Sequence, residues 1–129
     1  MVAVLDAWAL LALLQAEPAG PRVRDAVAGG GAVVSWINLG ELHYIVARAR
    51  GAAEADRGLR RIVSCVRAEA PDSELVLAAA RIKAGGGISY ADCFAIATAR
   101  RYEAPLLTGD PEIVRRAREV EVVDLRTAG

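Results

Sequence analysis

The chain has 129 residues, a size typical of one domain that buries its core without disulfides or structural metals. Its 16 basic and 16 acidic residues cancel, so the net charge gives no general attraction to nucleic acid, and any such binding would depend on local patches. Cys65 and Cys93 are too few for a disulfide framework or a zinc site. We therefore expect one domain over residues 1–129.

The first half of the chain alternates between apolar runs typical of strands and segments typical of helices. A strand, an acid and an Ala/Leu-rich helix follow each other at the N-terminus, and a Pro/Gly-rich break separates them from the next pair. Two amphipathic helices then form a predicted helical hairpin. The predicted elements are strand 1–5, helix 7–16, helix 22–28, strand 32–36, helix 38–50 and helix 52–67.

The second half continues the alternation and ends on an apolar strand. The predicted elements are a weak strand near 65–68, helix 72–84, helix 89–102, strand 105–108, helix 110–118 and strand 120–125. Strands that alternate with helices favour parallel pairing through helical crossovers. The sequence therefore predicts an α/β fold, a three-layer α/β/α sandwich with a central, mostly parallel sheet.

Nothing in the sequence directs the chain to a membrane or out of the cell. The N-terminus lacks the positively charged segment of a signal peptide, and no apolar run approaches the roughly 20 residues of a membrane span. We expect a protein of the reducing cytoplasm.

Four acidic residues lie at junctions where a predicted strand ends or a helix begins: Asp6, Glu41, Asp92 and Asp110. In a parallel sheet the carboxyl ends of the strands meet at one rim, where ligands bind, so these acids can converge. Crowded carboxylates need a cation to stay ionised, and hard oxygen ligands suit Mg²⁺ or Mn²⁺. Such a site is suited to phosphoryl chemistry.

Helix capping offers a simpler explanation for each acid taken singly. Asp6 and Asp110 stand where an N-cap residue would, and Ser89-x-x-Asp92 and Asn38-x-x-Glu41 resemble capping boxes. Capping does not require, however, that the helices begin at the same rim. Asn38 lies one helical turn before Glu41 and could orient it, with capping as its simpler role.

Four segments resemble the PIN-domain nucleases, and within them the VapC-type toxins of bacterial and archaeal toxin–antitoxin pairs. The resemblance spans the whole chain, and its third segment is the most specific because it joins two acids through a helix and a strand. The segments are VAVLDAWALLALL, SWINLGELHYIVAR, GGGISYADCFAIATARRYEAPLLTGDPEI and VEVVDL.

The resemblance implies an Mg²⁺- or Mn²⁺-dependent endonuclease that cleaves RNA and is held inactive by a VapB-like antitoxin. Asp6, Glu41, Asp92 and Asp110 would be the metal-binding catalytic acids, with Asp6 and Asp92 the most direct ligands. Thr108 and Asn38 would support them. Homodimers and toxin–antitoxin hetero-oligomers are common in the family and are expected here.

One departure from the family pattern concerns the residues after the first acid. The family commonly has Ser or Thr there, whereas Ala7 and Trp8 follow Asp6 in this chain. The missing hydroxyl bears on rate or substrate preference, and we expect activity to survive because all four acids are present.

Two alternatives remain at the level of sequence. A housekeeping PIN ribonuclease of RNA processing would use the same acids, and a non-catalytic binding module would use them as caps or to hold a structural ion. A phospho-receiver domain is excluded because it needs paired acids after the first strand and a lysine late in the chain, whereas Lys83 lies in the wrong segment. The single histidine, His43, is expected to be a packing or surface residue.

Overall fold

The computed structural model describes residues 1–127 and shows five short strands in one sheet. The expected domain end at residue 129 lies outside the described residues, so the single-domain assignment stays a prediction. The strands are β1 (Ala3–Leu5), β2 (Ala32–Ser35), β3 (Arg67–Glu69), β4 (Leu106–Thr108) and β5 (Val122–Asp124).

Helices connect these strands and cover both faces of the sheet. No helix within residues 1–127 is both long and apolar enough to span a bilayer. The helices are α1 (Ala7–Leu14), α2 (Gly20–Ala28), α3 (Trp36–Arg50), α4 (Ala52–Val63), α5 (Ser73–Ala84), α6 (Tyr90–Tyr102) and α7 (Pro111–Arg116).

The sheet has the order β3-β2-β1-β4-β5, and each neighbouring pair is parallel. Strand β1 is central: Val4 pairs with Val33 of β2 on one side and with Leu106 of β4 on the other. The carboxyl ends of β1, β2 and β4 therefore lie side by side. Each leads into a segment that carries one of the predicted acids.

Alternating side chains of the strands divide the core into two layers. Val4 and Val33 face a cluster formed with α5, α6 and α7, whereas Leu5 and Val34 face a second cluster formed with α1 to α4. This two-sided burial explains why the strands are almost entirely apolar in sequence. The predicted three-layer α/β/α sandwich is confirmed, and all pairings among the described strands are parallel.

The correction that matters most for the site is at the start of α3. The sequence predicts a strand through residue 36 and a helix from residue 38, but β2 ends at Ser35 and α3 begins at Trp36. The Ser35 hydroxyl accepts a hydrogen bond from the Ile37 backbone N–H at 3.2 Å and so caps the helix. Asn38 is therefore not an N-cap, and Asn38-x-x-Glu41 is not a capping box.

Several other boundaries also differ from the prediction. Helix α4 ends at Val63 rather than at residue 67, and the weak third strand lies at Arg67–Glu69, two residues later than predicted at its start. Helix α7 ends at Arg116 because Ala117 adopts an extended conformation. The final strand is shortened to Val122–Asp124.

Candidate functional site

Asp6 follows the central strand and is almost completely enclosed, with 1% of its surface exposed. One carboxylate oxygen, Oδ1, accepts a hydrogen bond from the Ala9 backbone N–H at 2.9 Å and caps α1. The other, Oδ2, accepts a hydrogen bond from the Thr108 hydroxyl. The predicted capping role is therefore confirmed, and it does not exclude a place in the site.

Thr108, at the end of β4, links two of the predicted acids. Its buried hydroxyl donates to Asp6 and accepts from the Asp110 backbone N–H at 3.0 Å. The Asp110 carboxylate in turn accepts from the Glu112 N–H at 2.8 Å and caps α7. The orientation of the hydroxyl is thus fixed by a donor on one side and an acceptor on the other.

Asp92 lies in the first turn of α6, behind the N-cap Ser89. The Ser89 hydroxyl accepts from the Asp92 backbone N–H at 3.3 Å, which confirms the serine half of the predicted capping box. The Asp92 side chain is buried, with 8% of the residue surface exposed. The carboxylate is thus held at the beginning of a helix, where the helix dipole favours negative charge.

Asn38 and Glu41 lie on α3, the helix that follows β2. The fully buried Asn38 donates a hydrogen bond from Nδ2 to the Ala91 carbonyl at 3.1 Å, which fixes the first turn of α3 against the first turn of α6. Asn38 Oδ1 and Glu41 Oε1 are both buried, and neither has a hydrogen-bond partner among residues 1–127. Two orphaned oxygens at one rim are unusual, because buried polar atoms are nearly always paired.

The four acids act on one another electrostatically. The pKa of Asp6 is raised to about 7, mainly by burial and in smaller part by the charges of Asp92 and Asp110, against the lowering effect of the hydrogen bonds from Thr108 and Ala9. The pKa of Asp92 is also raised to about 7, mainly by burial and further by the charges of Asp110 and Glu41, against the lowering effect of the Ser89 hydroxyl. The fold thus places these acids near enough to influence one another, and their catalytic and metal-binding roles stay a prediction.

Glu41 belongs to the same electrostatic group. Burial is the main cause that raises the pKa of its carboxyl, the Asn38 side chain opposes the shift, and the charge of Asp110 adds to it. The charged groups that act on Asp6, Glu41 and Asp92 are all acids. A bound cation would reduce the repulsion between the carboxylates, and its ligand waters would give the unpaired oxygens hydrogen-bond partners.

The donor set fits a hard divalent cation, although the carboxylates do not form a finished cage. Among residues 1–127, no three His, Cys, Asp or Glu side chains are close enough together to hold an ion as they stand. Mg²⁺ normally keeps several of its water ligands and uses only one or two carboxylates. An incomplete protein ligand set with free oxygens nearby is consistent with that preference.

Trp8 occupies a place in the site that the sequence did not predict. A Cβ atom added to Gly109 would lie 2.3 Å from the indole of Trp8, so the ring packs directly on the backbone between Thr108 and Asp110. Only a residue without a side chain fits there. Gly109 is the sign of this contact in the sequence. Its meaning becomes clear only when the structure shows the Trp8 ring against it.

His43 lies outside the site, as predicted. Its Nε2 atom is 2.8 Å from Asp56 Oδ1, and the side chain is about one-third exposed on the α3–α4 hairpin. The histidine therefore pairs with a surface carboxylate and has no contact with the acids of the rim in the part of the chain that the structure describes.

Comparison with known proteins gives one match to a family model and a set of structural neighbours. The family model described as "PIN domain" matches residues 3–119. No curated protein sequence matches the chain.

Among the structural neighbours is DNA-bound VapBC from Salmonella typhimurium, with a TM-score of 0.80, 16% identity, and coverage of 97% of this chain and 98% of the other. A second is Mycobacterium tuberculosis VapC20, described as a Sarcin-Ricin loop cleaving toxin, with a TM-score of 0.73, 19% identity, and coverage of 92% and 98%. A third is FitAcB from Neisseria gonorrhoeae, with a TM-score of 0.70, 20% identity, and coverage of 98% and 100%. At these identities the likeness concerns the fold.

Proposed function

Because this chain belongs to the PIN domain family, we propose that it is an Mg²⁺- or Mn²⁺-dependent endoribonuclease and the toxin of a VapBC-type toxin–antitoxin pair. The observation that carries the proposal is the rim at the carboxyl ends of β1, β2 and β4. Asp6, Glu41, Asp92 and Asp110 influence one another electrostatically there, the pKa of both Asp6 and Asp92 is raised to about 7, and two buried oxygens are unpaired. Purely structural caps would not require this convergence.

Asp6 and Asp92 are the proposed direct metal ligands, and Glu41 and Asp110 complete the catalytic acids. A bound Mg²⁺ or Mn²⁺ would polarise the scissile phosphate and lower the pKa of the attacking water. The unpaired Asn38 Oδ1 and Glu41 Oε1 can accept hydrogen bonds from that water or from hydrated ligands.

The remaining residues of the site hold these groups in place. The Thr108 hydroxyl fixes the rotamer of Asp6 and the backbone of Asp110 together. The Asn38 amide holds α3, which carries Glu41, against α6, which carries Asp92. Positioning of this kind is how a preorganised site lowers a reaction barrier. The hydroxyl missing after Asp6 has a partial counterpart in Thr108, which reaches the same carboxylate from β4.

Cleavage of RNA by the purified protein is the direct test. Wild type, Asp92→Asn and the control Asp25→Asn would be incubated with total cellular RNA and transfer RNA in Mg²⁺, Mn²⁺ or EDTA. Asp25 is exposed on α2, so its replacement changes net charge equally without touching the rim. We expect metal-dependent cleavage by wild type and the control, and its loss in Asp92→Asn. Wild-type rates in Asp92→Asn would refute the assignment.

A VapB-like antitoxin is the proposed protein partner, and a homodimer the proposed state of the toxin. Several structural neighbours are described as VapBC or FitAB complexes, which supports but does not establish such a partner for this chain. We also propose that the pair acts in the cytoplasm. Co-purification with the product of an adjacent small gene, and suppression of cleavage by it, would separate a toxin from a housekeeping ribonuclease. Absence of cleavage with every metal would favour the non-catalytic binding module.

A further inference from the structure

Arg126 follows the last strand and lies beside the connection that carries the last acid of the site. Strands β4 and β5 pair so that Asp124 is the register partner of Thr108, and the next residue, Leu125, donates its backbone N–H to the Thr108 carbonyl at 2.8 Å. Arg126 therefore stands one residue beyond a direct contact with the segment that leads to Asp110. The fold thus places a cationic side chain at this edge of the rim.

The guanidinium of Arg126 is held in one orientation by Asp124. Nε lies 3.0 Å from Oδ1 and Nη2 lies 2.9 Å from Oδ2, so the two planar groups form a pair of parallel hydrogen bonds. The turn that carries them is fixed as well, because Arg22 of α2 donates to the Thr127 carbonyl at 2.8 Å. An exposed ion pair contributes little to stability, which leaves the fixed guanidinium available for a role in binding.

Part of the Arg126 guanidinium is accessible to a ligand. An arginine side chain has five N–H donors, and the pair with Asp124 uses one on Nε and one on Nη2. Nη1 donates to no acceptor among residues 1–127, and 43% of the side chain is exposed to solvent. These donors can bind an anion that approaches the rim from solvent.

Arg126 also acts on the acidic site electrostatically. Its pKa is raised, mainly by the hydrogen bonds to Asp124, and the charge of Asp110 adds to the shift. By contrast, the charged groups that raise the pKa of Asp6 and Asp92 are acids. A phosphodiester strand that enters the site therefore meets negative charge, and Arg126 supplies positive charge on one side of it.

We propose that Arg126 is a phosphate-binding residue, which holds a phosphate group of the RNA strand next to Asp110 and so positions the strand over the acids. A guanidinium matches two oxygens of a phosphate as it matches the two of a carboxylate, whereas lysine offers only a point charge. The inference rests on the proposed ribonuclease function and adds a residue that holds the backbone of the substrate. Contacts to phosphate carry no sequence information, so the contact serves every base alike.

Binding of RNA is measured apart from cleavage, by the fluorescence anisotropy of a short labelled RNA in EDTA at increasing salt concentration. Each phosphate contact adds about 0.7 to the steepness with which log affinity falls against log salt for a single strand. We expect Arg126→Gln to bind about tenfold more weakly at low salt and to lose about 0.7 of this steepness. Arg126→Lys should keep the salt dependence and recover only part of the affinity, because it keeps the charge without the planar fork.

Arg67→Gln is the matched control. Arg67 pairs with Glu69, also two residues away, but in β3 at the opposite edge of the sheet. The net charge changes by the same amount as in Arg126→Gln, and we expect wild-type affinity and salt dependence. If Arg67→Gln weakens binding as much as Arg126→Gln, net charge alone is responsible and the proposal is wrong.

A double variant separates phosphate binding from neutralisation of Asp124. Arg126→Gln alone leaves the Asp124 carboxylate without its partner, and that unpaired charge would itself repel RNA. Asp124→Asn removes the carboxylate, so the effect of Arg126→Gln is measured again in this background. We expect the double variant to bind about tenfold more weakly than Asp124→Asn alone. Equal affinities would show that Arg126 only neutralises Asp124. Thermal unfolding checks that each variant is folded.

The two proposals fail in different ways. Metal-dependent cleavage by wild type, with equal RNA affinity and salt dependence in wild type and Arg126→Gln, would overturn the phosphate contact and leave the nuclease. RNA binding that depends on Arg126, without cleavage in any metal, would support the phosphate contact and overturn the nuclease. Absence of RNA binding by wild type would overturn the phosphate contact whether or not the protein cleaves.

Discussion

At the scale of single residues, the Thr108 hydroxyl connects Asp6 to the backbone of Asp110. It is fully buried, donates to the Asp6 carboxylate and accepts from the Asp110 N–H. A hydrogen bond to an ionised carboxylate is stronger than one between neutral groups. The hydroxyl therefore favours the charged form of Asp6, in opposition to burial.

Thr108→Val keeps the shape of this side chain and removes its hydroxyl. We expect a loss of about 1–3 kcal/mol in the free energy of unfolding, because the Asp110 N–H and an Asp6 oxygen lose their partner. Cleavage should fall as well, since Asp6 is no longer oriented. Thr98→Val is the control: Thr98 is equally buried, but its hydroxyl donates only to the Phe94 carbonyl within α6. Denaturant unfolding measures the change in stability, and RNA cleavage rates measure the change in activity. Equal cleavage rates in Thr108→Val and Thr98→Val would contradict the role of Thr108.

The raised pKa of Asp6 predicts how stability depends on pH. Its ordinary pKa is 3.8, and its folded-state pKa is about 7, so between these values the folded state binds more protons than the unfolded state. The contribution of Asp6 to the free energy of unfolding is therefore fully present below pH 4 and is lost as the pH rises towards 7. Metal-free wild type should lose melting temperature relative to Asp6→Asn over this window. Parallel curves from pH 4 to 8 would show that Asp6 titrates normally.

At the scale of elements, the connection from β4 to α7 is limited by a close packing contact. Gly109 separates Thr108 from Asp110, and the indole of Trp8 fills the space where a side chain would be. Helix α1 thus packs, through Trp8, against the segment that carries Asp110. Trp8 is one of the two residues that follow Asp6 where the family commonly has Ser or Thr. Its role in this chain is to pack against Gly109.

Gly109→Ala tests that contact. The added Cβ would lie 2.3 Å from the Trp8 ring, so the ring or the connection must shift, and overpacking of this kind typically costs about 1–3 kcal/mol. We expect lower stability and weaker cleavage. Gly40→Ala is the control, because a Cβ at Gly40 meets nothing within 4 Å and alanine is the better helix former, which should stabilise α3 by about 0.5–1 kcal/mol. Thermal unfolding of both variants is the measurement, and similar losses would contradict the packing argument.

The order of the elements could be predicted from sequence because apolar runs and helical segments alternate clearly. The start of α3 could not, since Ala-Val-Val-Ser-Trp looks like a continuous strand and only the Ser35 to Ile37 hydrogen bond shows where the helix begins. The sequence predicts the third strand two residues too early, because Cys65 and Val66 are more apolar than the Arg-Ala-Glu segment that pairs with β2. Local composition does not show which residues form the strand at the edge of a sheet.

At the scale of the whole molecule, the rim shared by parallel strands is the reason why the sequence predicts that Asp6, Glu41 and Asp110 approach one another. The sequence could not predict the unpaired oxygens of Asn38 and Glu41 or the contact between Trp8 and Gly109, which arise from packing between distant elements. The fold concentrates negative charge at the centre of its sheet, where β1 ends. The protein therefore carries at this rim a repulsion that a bound cation would relieve.

Addition of Mg²⁺ or Mn²⁺ should consequently raise the melting temperature of the whole protein. A ligand that binds only the folded state stabilises it in proportion to RT ln(1 + [L]/Kd), so the rise should increase with metal concentration. It should also be larger at pH 8 than at pH 6, because protons occupy Asp6 and Asp92, whose pKa values are both about 7, at the lower pH. Asp92→Asn should abolish most of the shift, whereas the surface variant Asp25→Asn should keep it. An equal shift in wild type and Asp92→Asn at both pH values would mean that the cation binds elsewhere.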